Sequence, residues 1–233
     1  MRVLQFSGGK DSIACLLLLK DQLADITVMW ANSGDTFPET LRQMEKVREM
    51  CPNFIEVMGD QPEVIQTGGY PVDVLPMRNH KEIARLSGQN RVKLQGFLEC
   101  CFNSFLLPMH NAAIDAGATE IIRGQKLCDG QKSPVRSGDV IDGIKYSFPI
   151  ENWTDAQVME FVKDSGLLTE NYSIANTSLD CMHCTAYLAE NKWKLTYLEA
   201  RHPEVAVEVR SRLGVIRGEI ARDAELLNEI LGS

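Results

Sequence analysis

Two sets of residues in this 233-residue chain have the types and spacing to do chemistry. The first is Ser7-Gly8-Gly9-Lys10-Asp11-Ser12, which follows the apolar run Val3 to Phe6 and precedes the apolar stretch Ile13 to Leu19. Glycine admits positive φ and lets a ligand approach the main chain. Free N–H groups at a helix start carry partial positive charge and attract anions. Lys10 adds a full charge, Ser7 and Ser12 add hydroxyls, and Asp11 is a candidate helix cap or metal ligand. Strand, loop and helix in that order predict a phosphate cradle. The spacing is not that of GxxxxGK[ST], and the plain alternative is a glycine turn capped by Asp11 or Ser12.

The second set is cysteine. Cys100 and Cys101 are adjacent, and Cys181-Met182-His183-Cys184 forms a CxxC much later in the chain. Neighbouring thiols bond each other only with strain, yet both can ligate one compact centre. Four thiolates suit a [4Fe–4S] cluster or a zinc ion. A redox-active CxxC and four buried thiols acting as small hydrophobes are the simpler readings. Cys15 and Cys51 read as core thiols, and Cys128 as a bystander in a loop. His183 either donates toward a cluster sulfur or points away.

These residues need elements to position them. The first half alternates: strand Val3–Phe6, helix Ser12–Leu23, strand Ile26–Ala31, a helix opened by the capping box Thr36-x-x-Glu39 and running to Met50, and strand Asn53–Met58. Such alternation argues a parallel sheet wound with helices, with ligands at the carboxyl ends of its strands. The stretch from Gly59 to Gly96 reads as a mobile insert or a surface loop. A helix over Phe97–Ala116, bent at Pro108, precedes a strand over Thr119–Arg123 and a loop from Gly124 to Ser137. Thr154-x-x-Gln157 caps another helix. The tail from Pro203 to Leu231 reads as two amphipathic helices split near Gly214. The expected division is 1–200 for the main domain, carrying the cysteines, and 201–233 for a helical extension.

Composition bounds the function. With 44% hydrophobic and 24% charged residues the chain is an ordinary globular one. A net charge of −8 disfavours broad nucleic-acid binding. Arg210, Arg212, Arg217 and Arg222 interleave with Glu204, Glu208, Glu219 and Glu225, which reads as a solvated helix face. No leader pattern precedes the first strand and no apolar run reaches membrane-spanning length, so the expected compartment is the cytoplasm, where thiols stay reduced.

Three ordered motifs carry a family resemblance. Ser7 to Ser12 resembles the PP-loop of the adenine nucleotide alpha hydrolases. The block Trp30-Ala31-Asn32-Ser33-Gly34-Asp35-Thr36-Phe37-Pro38-Glu39-Thr40 is similar to the DTG…FPET stretch of the phosphoadenosine phosphosulfate (PAPS) reductase branch. Phe148-Pro149-Ile150 through Trp153-Thr154-Asp155 to Val158 looks like that branch's P-L-x-W-T-x-x-x-V. The resemblance runs from Val3 to about Leu188. It implies a three-layer, doubly wound, mainly parallel α/β sheet with a C-terminal helical extension. The Cys-Cys pair and distant Cys-x-x-Cys-Thr resemble the [4Fe–4S] ligand set of adenylyl-sulfate (APS) reductases, making Cys100, Cys101, Cys181 and Cys184 the implied ligands.

The chain also departs from those reductases. Their catalytic Glu-Cys-Gly is missing, since no cysteine follows Cys184. The loop Ser7–Ser12 is complete, as in relatives that split ATP between the α and β phosphates. Phe105 stands where APS reductases carry a lysine, and Gly124-Gln125-Lys126 replaces a Gly-x-Arg, which keeps the charge and loses the fork. The resemblance with its departures implies an ATP pyrophosphatase or sulfurtransferase type of enzyme. Lys10, Asp11 and Lys126 would be catalytic. Ser7, Gly8, Gly9, Ser12, Asn32, Gly34, Asp35, Gly124, Lys132 and Arg136 would bind nucleotide, and Mg²⁺ would sit on Asp11 or Asp35. The alternatives are a true APS or PAPS reductase with a thiol from a partner or Cys128, and a nucleotide-binding subunit needing a partner for chemistry. The implied partners are an adenine nucleotide and a sulfur-donor protein or thioredoxin-like reductant; nucleic acid as sulfur acceptor and a homo-oligomer are further readings.

Overall fold

The computed structural model describes residues 1–88, 92–130, 135–175, 177–179, 181–189 and 192–232. In chain order the elements are β1 (Arg2–Phe6), α1 (Lys10–Leu18), β2 (Ile26–Asn32), α2 (Pro38–Met50), β3 (Phe54–Met58), α3 (Gln61–Gly68), β4 (Tyr70–Val72), α4 (Lys81–Leu86), β5 (Leu94–Gly96), α5 (Phe97–Cys101), α6 (Leu107–Asp115), β6 (Glu120–Ile122), β7 (Val140–Ile141), β8 (Ile144–Ser147), α7 (Asp155–Val162), α8 (Lys192–Arg201) and α9 (Pro203–Leu231). The chain divides into two compact units. One comprises Met1–Asn32, Thr36–Gly59 and Leu106–Leu179; the other comprises Ser33–Asp35, Asp60–Phe105 and Asp180–Ser233. The long tail helix belongs to the same unit as residues 60–105.

The first unit holds a six-stranded sheet in the order β3-β2-β1-β6-β8-β7. All pairs are parallel except β7 with β8. Its central strands are continuously apolar because both faces are covered. Leu4, Phe6, Val28, Trp30 and Ile122 point to one face and pack with Ile13 and Leu16 of α1 and Val158 and Val162 of α7. Val3, Met29, Ile121 and Tyr146 point to the other and pack with Met109 and Ala113 of α6. The parallel α/β architecture expected from the alternation is the one observed, and both Phe6 and Trp30 end at the same carboxyl edge.

The second unit is built on the parallel pair β4–β5, whose Val72 and Leu94 pack on Ile216 of α9. Among the described residues, the stretch 59–96 includes α3, α4 and the strands β4 and β5. Asn79, wholly buried, donates to Val92 O at 2.9 Å and to Glu219 Oε2 of α9 at 3.0 Å.

Three local expectations are corrected. The tail is one 29-residue helix, not two. Gly214 and Gly218 each cost it about 1 kcal/mol against alanine, and burial of Val209, Ile216 and Glu219 on its packed face outweighs them. The capping box at Thr36 does not form: α2 starts at Pro38 with Phe37 as its N-cap, and Thr36 Oγ1 donates to Asn32 Oδ1 at 2.9 Å instead. Proline at the first helical position needs no N–H partner and presets φ. The stretch Phe97–Ala116 comprises α5, a π-helical turn over Phe102–Leu106 and α6. Pro108 falls in the first turn of α6, where its missing N–H leaves no gap. The box Thr154–Gln157 is formed as expected. Among the described residues no helix is long and apolar enough to cross a membrane.

Candidate functional site

The loop after β1 is shaped by Gly8, at φ +83°. A β-carbon there would lie 2.5 Å from Gln43 Oε1, because Gln43, buried on α2, donates to Gly8 O at 2.8 Å and Leu167 O at 2.7 Å. Ser7 Oγ accepts the Gly9 amide at 3.3 Å, and Ser12 Oγ donates to Gly9 O at 2.8 Å. Gly9 is the N-cap of α1, so neither Asp11 nor Ser12 caps the helix. The Lys10 amide donates to the Tyr172 hydroxyl oxygen at 2.9 Å.

Charge gathers beside that first turn. Lys10 Nζ lies 2.9 Å from Asp155 Oδ1 and 3.4 Å from Asp11 Oδ2. Lys126 Nζ, on a side chain only 1% exposed, lies 2.6 Å from Asp11 Oδ1, 2.8 Å from Asp129 Oδ1 and 3.5 Å from Asp155 Oδ1. Burial pulls the Lys126 ammonium down, but hydrogen bonds and charge from Asp11 and Asp129 outweigh it and hold it above its ordinary value. The hydrogen bond from Lys10 holds the Asp155 carboxyl below its ordinary value. Gly124 makes this meeting possible. A β-carbon there would sit 2.6 Å from the Asp11 carbonyl carbon, so only glycine lets the loop after β6 run this close to α1.

Lys10, Asp11 and Lys126 are therefore brought together. Asp129 and Asp155 complete the network and were not anticipated. The signal for Asp155 was present, since the Thr154 capping box puts the next residue in the first helical turn. Other anticipated residues lie elsewhere. The Asn32 amide donates to Glu56 Oε1 at 2.9 Å and accepts from Thr36. Arg136 is exposed in a turn whose amide donates to Asp139 Oδ2 at 2.8 Å. Lys132 lies outside the described residues. Cys15 and Cys51 are buried core thiols, Cys15 pushed up to about 12 by burial and the Asp11 charge, Cys51 to about 11 by burial. Cys128 is exposed and donates to Trp153 O at 3.4 Å.

The second unit contains Gly34, at φ +81°, and Asp35 together with Cys100, Cys101, Cys181 and Cys184. Asp35 is buried and committed to the CxxC turn. Its Oδ2 accepts the His183 amide at 2.7 Å, its Oδ1 lies 2.6 Å from His183 Nδ1, and its carbonyl accepts the Met182 amide at 2.8 Å. His183 Nε2 faces Glu208 Oε2 at 3.3 Å, so this ring is turned to carboxylates, not to a sulfur. Lys194, buried on α8, donates to Cys181 O at 2.8 Å and Cys184 O at 3.3 Å.

The thiols themselves are held at their edges. Cys181 Sγ donates to Ser33 Oγ at 3.3 Å, Cys100 Sγ lies 3.8 Å from Ser104 Oγ, and Cys101 Sγ lies 3.5 Å from Tyr187 Oη. Burial pushes the Cys100 thiol up to about 11 against the Ser104 hydrogen bond, with Cys184 adding to it. Among the described residues no three His, Cys, Asp or Glu side chains converge on one point. A four-iron cluster asks for thiolates spread around a larger body. Cys100 and Cys101 end α5, Cys181 and Cys184 lie on the turn that Lys194 braces, and all four belong to one compact unit with thiol donors of that type.

The phosphoadenosine phosphosulfate reductase domain profile matches residues 2–187. The chain belongs to the phosphoadenosine phosphosulfate reductase family. Membership in the PP-loop superfamily follows, and the loop Ser7–Ser12 is this family member's PP-loop. Among solved structures, phosphoadenylyl-sulfate (PAPS) reductase from Candida auris, in a phosphate complex, is similar at 16% identity and TM-score 0.49, over 75% of this chain and 77% of that one. A search of curated proteins returns no match.

Proposed function

We propose that this family member is an enzyme of sulfur metabolism that binds ATP on its PP-loop and cleaves it between the α and β phosphates. One observation carries the reading. Two buried lysines, Lys10 and Lys126, meet beside the first turn of α1, and both are held by side-chain carboxylates that an incoming triphosphate can replace. Attack of an acceptor oxygen on the α-phosphorus would give an adenylate and pyrophosphate. The amides of residues 8–12 and the two ammonium groups would stabilise the charge that develops. Asp11, released from the lysines, is the proposed protein ligand for Mg²⁺. Cys100, Cys101, Cys181 and Cys184 would hold a [4Fe–4S] cluster, which when bound would supply electron transfer or sulfur chemistry. A cytoplasmic setting, where thiols stay reduced, suits this chemistry.

A second reading has its own support. The family is named for sulfonucleotide reduction, and the exposed thiol of Cys128 lies in the same turn as Lys126 and Asp129. In that reading the substrate is APS or PAPS and a thiol, from Cys128 or a reductant protein, takes the sulfo group. Protein purified without oxygen separates the two. Iron and a broad absorbance near about 400 nm are expected, with pyrophosphate released from ATP. Sulfite formed from APS or PAPS with a thiol, and no pyrophosphate from ATP, would sink the first reading in favour of the second.

A further inference from the structure

Arg123 follows directly on β6. The register pairs Leu4 of β1 with Ile122 of β6, so Arg123 stands beside Gln5 at the carboxyl edge of the sheet, with Ser7 just beyond on the neighbouring strand. Side chains alternate along a strand. Arg123 thus shares the face of Ile121, the side away from α1. Its Nε donates to Gln5 Oε1 at 2.6 Å, and its guanidinium carbon lies 5.7 Å from the centroid of the Tyr146 ring on β8. These contacts fix the plane of the guanidinium and use one of its five donors.

No carboxylate among the described residues pairs with it. Arg2 meets Glu120, Arg48 meets Glu56, Arg212 meets Glu208 and Arg222 meets Glu219. Arg123, deeper than most of these, meets an amide oxygen and an aromatic face. Burial without a counter-charge holds its guanidinium below the usual arginine range. Buried charges are ordinarily paired, because desolvation without compensation is expensive. A planar fork with its Nη donors uncommitted matches two oxygens of a tetrahedral anion.

We propose that Arg123 is an anion-binding residue whose Nη pair takes two oxygens of a phosphoryl or sulfo group at the carboxyl edge of β6, a second anion position on the opposite sheet face from α1. The position exists whether or not the PP-loop binds ATP; only the source of the anion rests on that reading. The source is either a distal phosphoryl group of the nucleotide or a separate oxyanion co-substrate.

The test is calorimetric titration and thermal melting with sodium sulfate, AMP and ATP. The proteins are the wild type, K10M, R123L and the double variant, with R123Q used if R123L does not fold. In K10M, where the loop's own attraction for anions is weakened, sulfate is expected to raise the Tm, and adding R123L should abolish that rise. R123L alone should weaken sulfate about tenfold or more, as loss of a charge-assisted pair does. A loss that persists under saturating AMP identifies a separate oxyanion. A loss of ATP affinity without loss of AMP affinity identifies a distal phosphoryl group. If R123L or R123Q lowers Tm but leaves sulfate, AMP and ATP affinities unchanged, Arg123 is only a brace between β1 and β8, and the proposal is overturned. Failure of the ATP reading shows separately, as ATP affinity in K10M equal to that of the wild type.

Discussion

Lys126 and Lys194 are both buried ammonium groups beside residues singled out for chemistry, and they are satisfied in opposite ways. Lys126 is surrounded by the side-chain carboxylates of Asp11, Asp129 and Asp155. Lys194 donates to main-chain carbonyls of Cys181 and Cys184. A carboxylate on a rotatable side chain, a quarter to a half exposed here, can yield its place to a phosphate and find water. A backbone carbonyl cannot turn without moving the chain. The PP-loop region is therefore an exchangeable electrostatic cradle, whereas the CxxC turn is a frame set in advance by Asp35, Lys194 and the Glu208–His183 contact.

The largest effect expected is at Gly124. G124A drives a β-carbon against the Asp11 backbone, which separates Lys126 from Asp11. We expect about 1–3 kcal/mol of destabilisation by overpacking, read by urea unfolding, together with near-complete loss of ATP binding by calorimetry. A stable G124A that binds ATP normally would break the cradle account at its root. Next comes K126M, which takes the cation from Asp129, leaves Asp11 and Asp155 to Lys10 alone, and removes a proposed phosphate contact. ATP affinity should fall about a hundredfold, in line with a charge-assisted, partly buried contact worth about 3 kcal/mol. Its stability loss should be smaller than for a sealed ion pair, because Asp11, Asp129 and Asp155 can rehydrate.

K194M sharpens the other half of the comparison. Iron bound per chain should drop by more than half after anaerobic reconstitution, while ATP affinity stays within about twofold of wild type, the scatter of uncoupled substitutions. An unchanged iron content would remove the frame from its assigned role. The smallest effect is at Asp155, whose carboxyl is more than half exposed. Its folded-state pKa is depressed, so its contribution is present above the ordinary value of 3.8 and is lost as pH falls through the folded value. D155N should flatten the acid limb of stability below about pH 4 and cost under about 1 kcal/mol at neutral pH. For Lys126 the sign reverses. Its raised pKa keeps its contribution intact up to the ordinary 10.5 and loses it only above, so K126M should flatten the alkaline limb and, because Lys126 also helps depress Asp155, a smaller part of the acid limb.

Much of this was legible along the chain. Residues 3–58 announce alternating strand and helix through apolar runs and turn residues, and the fold follows. The Gly124–Lys126 segment pointed to phosphate charge, and its lysine does reach the PP-loop helix. The tail helix was misjudged because a glycine lowers local propensity by an amount that packing easily exceeds. The Thr36 box was misjudged because Pro38 offers a competing start to the same helix. The position of Asp35, one short loop after β2, points to nucleotide or Mg²⁺, and its contact with His183 is visible only in the folded chain.

By itself the sequence determined the parallel α/β sheet, the family, the PP-loop and the cysteines in question, because each is written in contiguous residues or in fixed short spacings. Only the tertiary structure decided which charges meet. Asp11 with Lys126, Lys10 with Asp155, Asp35 with His183 and Arg123 with Gln5 and no acid are pairings between residues that are mostly more than a hundred positions apart. Their energies depend on distance and burial, quantities that exist only once the chain has folded.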